Sequence, residues 1–300
     1  MAKIEALNVR KTFRIRSNRT NRNAAGNCDF VALDGFSLSI NKGEFLVILG
    51  PSGCGKSTFL DMLAGLTKPD EGEITIDGKP IAGPGLDRGV VFQQYALFAW
   101  RTALSNVSFG LEAKKIEKKA RADLAKKYLS LVGLSGFEDR YPFELSGGMK
   151  QRVAIARALA IEPEVLLMDE PFAALDAQTR EILQTDLLRI RDQTQKTVVF
   201  VTHSIEEAVF LADRVAVMTA RPGVVKKIVE VPISREARYS DDVKVSPEFT
   251  KTRHELMALL KEEVVKSQEI CSKCTIEDCG LGSGRTPVAP LPVPVSLGSK

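Results

Sequence analysis

The chain has 300 residues, 44% of them hydrophobic and 27% charged, which is the composition of an ordinary globular protein of one large or two modest domains. Its net charge of +4 is too small to argue for nucleic acid as a partner. No apolar run approaches the roughly 18 residues that span a bilayer, and the N-terminus lacks a signal-sequence pattern, so we expect the chain to stay in the cytoplasm.

The N-terminal third predicts a small antiparallel sheet. Residues 3–10 and 30–40 alternate apolar and polar side chains, which is the pattern of half-buried strands. Residues 73–76 form a third short strand between two turns. The polar, breaker-rich residues 16–29 predict an exposed hairpin loop between the first two strands.

A glycine-rich loop follows a buried apolar strand at 45–49 and leads into a helix. The pattern G-x-x-x-x-G-K-S in this context is typical of a phosphate cradle, because the glycines let successive backbone N–H groups point at phosphate oxygens. Lys56 can reach the β- and γ-phosphates, the Ser57 hydroxyl can bind Mg²⁺, and Thr58 can contact the α-phosphate. The predicted nucleotide-binding residues of the loop are Gly50, Pro51, Ser52, Gly53, Cys54, Gly55, Lys56, Ser57 and Thr58.

Apolar strands and helices alternate in the rest of the chain. Strands are predicted at 165–168, 197–201, 215–218 and 224–231, and helices at 112–132, 150–160, 178–193 and 206–212. In the helix at 178–193 we expect four side chains to face the core: Ile182, Leu183, Leu187 and Ile190. The alternation predicts an α/β fold with a parallel sheet between helices.

Two acidic residues end the strand at 165–168. Asp169 stands where open α/β sheets bind their ligands, at the carboxyl edge of a strand, and its carboxylate can hold Mg²⁺. Glu170 can act as the general base for the water that attacks the γ-phosphate.

The segment Leu145-Ser146-Gly147-Gly148-Met149-Lys150-Gln151-Arg152 resembles the signature motif of ABC transporter ATP-binding subunits. The resemblance implies a P-loop NTPase core, an N-terminal antiparallel β subdomain and a helical subdomain that carries the signature. It implies that two chains form a head-to-tail homodimer in which the signature contacts ATP bound to the other chain. Signature residues Ser146, Gly147 and Gly148 begin a helix, where backbone N–H groups attract anions.

The same resemblance assigns the remaining site residues. It makes Gln93 a catalytic residue and Mg²⁺ ligand, His203 the switch histidine at the γ-phosphate, and Asp176 part of a loop at the nucleotide. It makes Phe13 the aromatic residue that stacks on adenine. ATP and Mg²⁺ are the implied cofactors.

Residues 171–180 and 210–215 are similar to the nitrate, sulfonate, taurine and bicarbonate importer subfamily. This implies an ATPase motor at the cytoplasmic face of the inner membrane that drives uptake of a small oxyanion or sulfonate. Its partners would be a membrane permease and, indirectly, a solute-binding protein, without nucleic acid. The aromatic residues 95–100 are either core or a partner surface on periodicity alone; the resemblance places permease docking there.

The alternative function is an ABC-type ATPase that acts on DNA or ribosomes. Such relatives carry a long coiled coil between the P-loop and the signature, or two cassettes in one chain. The compact interval from Gly55 to Ser146 and the single cassette favour the transporter.

The expected boundaries are a cassette at 1–232, with its helical subdomain at about 95–160, and a helical extension at 233–267. One helix is predicted at 246–265, and residues 268–300 are expected to be a disordered tail that ends in a proline-rich run. Cys271, Cys274 and Cys279 could hold a metal, but three thiolates lack a fourth ligand, which favours an unstructured, redox-sensitive tail.

Overall fold

The computed structural model describes residues 2–15 and 28–273. The predicted hairpin loop at 16–29 lies outside the described residues, except for its last two positions, and so does the tail from residue 274, with Cys274, Cys279 and the proline-rich run. The domain boundaries given above stay predictions.

The N-terminal antiparallel sheet is built as expected. Its strands are β1 (Ala2–Ile15), β2 (Cys28–Asn41), β4 (Glu71–Ile76) and β5 (Lys79–Pro80), in the spatial order β2-β1-β4-β5. Strand β1 pairs antiparallel with both neighbours. Inward side chains of this sheet, including Ile4, Phe36 and Ile40, are fully buried.

A six-stranded sheet forms the centre of the fold in the order β10-β9-β3-β8-β7-β6. Five strands are parallel, and β10 pairs antiparallel with β9 at one edge. The strands are β3 (Phe45–Leu49), β6 (Arg88–Val91), β7 (Val165–Asp169), β8 (Thr197–Thr202), β9 (Arg214–Met218) and β10 (Val225–Glu230). Strands β3 and β8 are buried along their whole length, which explains their continuous apolar sequences.

Helices cover the sheet and meet it through two apolar clusters, one on each face. They are α1 (Lys56–Ala64), α2 (Ala103–Ala113), α3 (Lys118–Leu131), α4 (Gly147–Ala160), α5 (Ala177–Thr194), α6 (Ile205–Leu211) and α7 (Pro247–Lys273). In α5, Ile182 was expected to face the core but is 50% exposed, whereas Leu183, Leu187 and Ile190 are buried.

The single helix predicted at 112–132 is wrong: the segment contains the end of α2 and all of α3. Between them Lys115 adopts a left-handed backbone with φ of 56°, which breaks the helical path. The Glu117 carboxylate then accepts hydrogen bonds from the backbone N–H groups of Lys119 and Ala120 and so begins a new helix.

The chain after β10 forms two short 3₁₀ turns (Glu236–Tyr239 and Val243–Val245) and α7. Phe249, Leu256 and Leu260 of α7 belong to one of the two apolar clusters that flank the sheet, so this helix packs on the cassette. It continues to Lys273, beyond the predicted end at residue 265 and into the segment expected to be disordered. In the described part of the chain, no helix is both long and apolar enough to span a membrane.

Candidate active site

The P-loop connects β3 to α1, and its conformation depends on glycine. Gly53 and Gly55 have φ of 76° and 103°, in the left-handed region that disfavours side chains. A Cβ atom on Gly55 would also lie 2.7 Å from the Leu33 side chain. Gly55 precedes α1 without a side-chain cap, so the first N–H groups of the helix are available to an anion.

Lys56 is buried in the P-loop, and its position is fixed. The Lys56 Nζ atom donates hydrogen bonds to the carbonyl oxygens of Gly50 at 2.8 Å and Pro51 at 3.0 Å. The ammonium group is thereby held against the start of the loop, where a bound phosphate would meet both the cation and the N–H groups.

The loop residues differ in what they can offer to a ligand. Ser52, Gly53 and Ser57 are exposed, whereas the Cys54 side chain is 1% exposed and belongs to the core under β3. Burial raises the pKa of the Cys54 thiol, which keeps it protonated and unreactive. Only the backbone of Cys54 can therefore face a phosphate.

Ser57 and Asp169 come together from α1 and β7. The Ser57 Oγ atom lies 3.2 Å from Asp169 Oδ1. Burial, and then the neighbouring carboxylates of Glu170 and Asp61, raise the pKa of Asp169. A hydroxyl and a partly buried carboxylate are hard oxygen donors in a negative environment, which fits Mg²⁺, a cation that takes few protein ligands beside phosphate oxygens.

Glu170 and His203 follow neighbouring parallel strands, β7 and β8. The His203 Nδ1 atom lies 3.1 Å from Glu170 Oε2. Glu170 has φ of 41°, and its N–H donates to the carbonyl oxygen of Val201 at 3.0 Å. This left-handed conformation is uncommon for a glutamate and is typical of residues held in place for function.

A buried polar network lies under His203 and was not predicted from the sequence. Glu207, which is 6% exposed, accepts hydrogen bonds from Thr202 Oγ1 at 2.6 Å and Gln184 Nε2 at 3.3 Å. Arg180 lies 3.9 Å from the same carboxylate and donates to the carbonyl oxygen of Leu175. The network thus joins the end of β8, just before His203, to the loop before α5.

The sequence carried one signal for this network. Ser204-Ile205-Glu206-Glu207 matches the pattern of a helix capping box, and Ser204 Oγ does accept from the Glu207 N–H at 3.3 Å. The Glu207 side chain, however, turns inward to Thr202, which the local pattern does not predict.

The signature segment begins α4, and the nearest side chains to its two glycines belong to Tyr95, Leu175 and Thr179. Ser146 caps the helix by accepting from the Met149 N–H at 3.3 Å, and both Ser146 and Gly147 are exposed. Gly148 is buried, and a Cβ atom there would lie 2.6 Å from Thr179 of α5. The helix therefore presents its N-terminus to solvent while its glycines allow close packing behind it.

Three other predicted site residues lie at the margins of the site. Asp176 is exposed and caps α5 through the Thr179 N–H, and this hydrogen bond lowers the pKa of Asp176. Gln93 follows β6 at the carboxyl edge of the sheet and is exposed. Phe13, near the end of β1, is 40% exposed and pairs across the sheet with Phe30.

Comparisons with known proteins identify the family to which this chain belongs. The profile of the family described as ABC transporter matches residues 33–173. An uncharacterized ABC transporter ATP-binding protein of Methanocaldococcus jannaschii is 53% identical over 265 residues, which cover 88% of this chain and 94% of that protein. The chain belongs to the ABC transporter ATP-binding family. It is an ATPase with the predicted α/β cassette fold.

Other relatives carry more specific names. The nitrate import ATP-binding protein of Synechocystis sp. is 47% identical over 247 residues, covering 81% of this chain and 93% of that protein. The taurine import ATP-binding protein of Chromobacterium violaceum is 49% identical over 230 residues, covering 76% and 88%. These relatives support the predicted subfamily of ABC ATP-binding subunits.

A solved structure agrees with this assignment. It is a dimeric ATP-binding cassette in a post-hydrolysis state bound to ADP and Pi. It superposes with a TM-score of 0.66 and 36% identity over 76% of this chain and 98% of its own.

Proposed function

We propose that this ABC ATPase is the motor of a membrane importer for a small oxyanion or sulfonate, such as nitrate, taurine or an alkanesulfonate. The observation that carries the proposal is the distribution of the site over two surfaces. Lys56, the Ser57–Asp169 pair and the Glu170–His203 pair meet at one sheet edge. The exposed start of the signature helix lies instead beside Tyr95 and Leu175. A complete site therefore takes a P-loop from one chain and a signature from a second.

In this mechanism the P-loop N–H groups and Lys56 hold the ATP phosphates. Ser57 and Asp169, with Gln93 as a further ligand, would hold Mg²⁺, which neutralises charge on the phosphate oxygens. Glu170 accepts the proton of the attacking water through its free oxygen, while its Oε2 faces His203 Nδ1. The partner chain's signature helix adds N–H groups at the γ-phosphate.

ATP binding in this arrangement closes the dimer, because each nucleotide contacts both chains, and hydrolysis removes the contact that holds it closed. Hydrogen bonds connect the signature helix to the loop that follows Gln93. Arg157 of the signature helix donates to the carbonyl oxygens of Ala96 at 2.5 Å and Tyr95 at 2.9 Å, in the loop after Gln93. The signature helix and this loop therefore move together.

The same loop ends in an aromatic surface that suits a permease. Trp100 is 74% exposed and packs against Phe98, whose ring lies 4.7 Å from that of Phe109. Arg101 lies over the Phe109 ring at 4.9 Å. A cluster of this kind, apolar with one cation, is typical of a protein contact, and we propose that it receives a cytoplasmic segment of the permease at the inner face of the membrane.

The role on DNA or ribosomes is not favoured. Helices α2 and α3, which lie between the P-loop and the signature, have 11 and 14 residues and pack on α4. Neither has the length of a coiled-coil arm.

Two measurements test the proposal. The ATPase rate of the purified chain should rise more than linearly with protein concentration, because two chains form each site; a strictly proportional rate would contradict the composite site. In cells with the cognate permease, Trp100→Ala should abolish uptake of the accepted solute and leave basal ATPase intact. Uptake equal to that of the wild type would contradict the docking surface.

The solute can be assigned in the same cells by comparing nitrate, taurine and alkanesulfonates as labelled substrates. Uptake of one of them that stops with Lys56→Ala would identify the cargo. ATP-dependent uptake of none of the three would reject the oxyanion or sulfonate assignment.

A further inference from the structure

The loop between β9 and β10, residues 219–224, is wedged between the P-loop and β2. A Cβ atom on Gly223 would lie 2.0 Å from the carbonyl oxygen of Cys54 in the P-loop. On the other side, the Gly223 N–H donates to the carbonyl oxygen of Ala32 at 2.9 Å. Only a glycine permits this approach, so the loop is in direct contact with the ATP site.

Hydrogen bonds fix the loop internally and from outside. Thr219 donates its N–H to the carbonyl oxygen of Val224 at 3.0 Å and its hydroxyl to that of Pro222 at 3.0 Å. The N–H of Ala220 donates to Glu263 Oε2 of α7 at 2.8 Å, and Glu263 is 1% exposed. The residue between these anchors, Arg221, is therefore presented by a rigid backbone.

The Arg221 guanidinium points toward the aromatic end of the site. Its carbon lies 3.7 Å from the ring centroid of Phe30, which is close enough for a strong cation–π contact. Phe30 is directly opposite Phe13 in the β1–β2 register, so both rings project from the same sheet face. Arg221 Nη2 also comes within 3.9 Å of the point where a Cβ atom on Gly53 of the P-loop would lie.

The buried Nε of Arg221 has no hydrogen-bond partner among the described residues. The stack on Phe30 fixes the plane of the guanidinium but does not use its donors. A planar cation with free donors, between a phosphate loop and an aromatic pair, is suited to a nucleobase, which offers a π face and ring-nitrogen acceptors.

We propose that Arg221 is a further nucleotide-binding residue that contacts the adenine base. The inference rests on the ATP site proposed above, with phosphates in the P-loop and the base at Phe13. Arg221 lies beside Gly53 of the P-loop and over Phe30, the cross-strand partner of Phe13, so a nucleotide that joins these two points passes close to it. Phe30 then acts as the platform that holds the guanidinium plane, and Glu263 of α7 holds the backbone that presents it.

The test separates base contacts from phosphate contacts in the full-length protein. The affinities for ATP and for inorganic tripolyphosphate, each with Mg²⁺, are measured by titration calorimetry. Arg221→Ala should weaken ATP binding about 10-fold, equivalent to about 1.4 kcal/mol, and leave tripolyphosphate binding unchanged. Arg221→Lys should resemble Arg221→Ala, because an ammonium keeps the charge but loses the planar stack.

The matched control is Arg189→Ala, which removes an arginine that is 63% exposed and pairs within its own helix; it should change neither affinity. An unchanged ATP affinity in Arg221→Ala, or an equal loss for both ligands, would overturn the assignment to the base. If Arg221→Ala fails to fold, Arg221→Lys alone decides by the same comparison. Lys56→Ala should weaken both ligands; if it weakens neither, the proposed ATP site fails instead.

Discussion

The P-loop and the signature segment are two glycine-rich turns at helix N-termini, and their surroundings differ. Around the P-loop, Gly50 has the Cys54 and Met218 side chains within about 3 Å of a built Cβ atom, and Lys56 is buried. At the signature, Ser146 and Gly147 are exposed and the cap is satisfied within the same helix. One site is built into the fold; the other is presented outward.

The residues before the signature strengthen this contrast. The rings of Tyr141 and Phe143 stack at 5.6 Å with an angle of 10° between their planes, and Phe143 is 77% exposed. Leaving such a ring in water forgoes roughly 2 kcal/mol of burial. A single chain therefore forms the P-loop from its own buried residues, and the exposed signature surface agrees with the proposal that a second chain completes the site.

The largest effect is expected from a substitution in the buried P-loop. Lys56→Ala removes the ammonium group that lies against Gly50 and Pro51. ATP affinity, measured by titration calorimetry, should fall at least 100-fold, because a charge-assisted contact to phosphate is lost from a site that is otherwise formed by N–H groups. Lys42→Ala, an exposed neighbour on the turn before β3, should bind ATP as the wild type does. Near-normal binding by Lys56→Ala would show that the P-loop is not the phosphate site.

The next largest effect is expected at Glu170, where a substitution distinguishes ATP binding from ATP hydrolysis. Glu170→Gln keeps the shape of the side chain beside His203 but cannot accept a proton. Turnover should fall about 10²- to 10⁴-fold, the range for loss of a general base, while ATP affinity stays the same. Glu206→Gln, an exposed glutamate in α6, serves as the control and should hydrolyse ATP normally. Normal turnover in Glu170→Gln would move the general base to another residue.

A mixture of two inactive variants tests whether each ATP site needs two chains. Gly147→Asp places a carboxylate at the exposed signature and should leave ATP binding intact but abolish hydrolysis, whereas Lys56→Ala should abolish both. In a head-to-tail dimer of the two variants, one of the two sites is intact. It takes its P-loop from the Gly147→Asp chain and its signature from the Lys56→Ala chain. An equimolar mixture should therefore regain about a quarter of wild-type ATPase if the sites act independently and chains pair at random. A mixture as inactive as its components would argue that each chain works alone.

The fold was largely predictable because its central strands are buried on both faces. Continuous apolar runs such as Phe45–Leu49 have few alternatives to a central parallel strand, and the strand-to-helix context of Gly50 and Lys56 predicted the loop. Asp169 and Glu170 could be placed for the same reason, since a carboxylate after a buried strand must emerge at the sheet edge.

What the sequence did not predict depends on contacts between distant residues. Helix α2 was missed although Thr102 caps it, because its packing rests on Asn106, a buried side chain that donates to the carbonyl oxygens of Phe98 and Arg101. The break at Lys115 carries neither glycine nor proline. The inward turn of Glu207 likewise requires knowing that Gln184 of α5 lies beside it.

The smallest effect is expected at Glu207, which lies under His203, the proposed switch histidine. Burial raises the pKa of Glu207 from its ordinary value of 4.5, so the folded state binds a proton more readily than the unfolded state. Stability therefore falls as the pH rises through the window from about 4.5 up to that raised value, and the full cost of the buried charge is present above it. Glu207→Gln removes this charge and keeps an acceptor for Thr202, while the amide of Gln184 can reverse to match.

Thermal unfolding across pH 4 to 8 measures this cost. Glu207→Gln should melt at a higher temperature than the wild type at pH 8, and the difference should shrink toward zero as the pH falls to 4, where both side chains are neutral. Glu206→Gln, whose side chain is exposed, should show no such pH-dependent difference. A difference that stays constant with pH, or a less stable Glu207→Gln at pH 8, would mean that the contacts with Thr202 and Gln184 outweigh the desolvation of the carboxylate. In that case the network under His203 would depend on the charge of Glu207 rather than tolerate it.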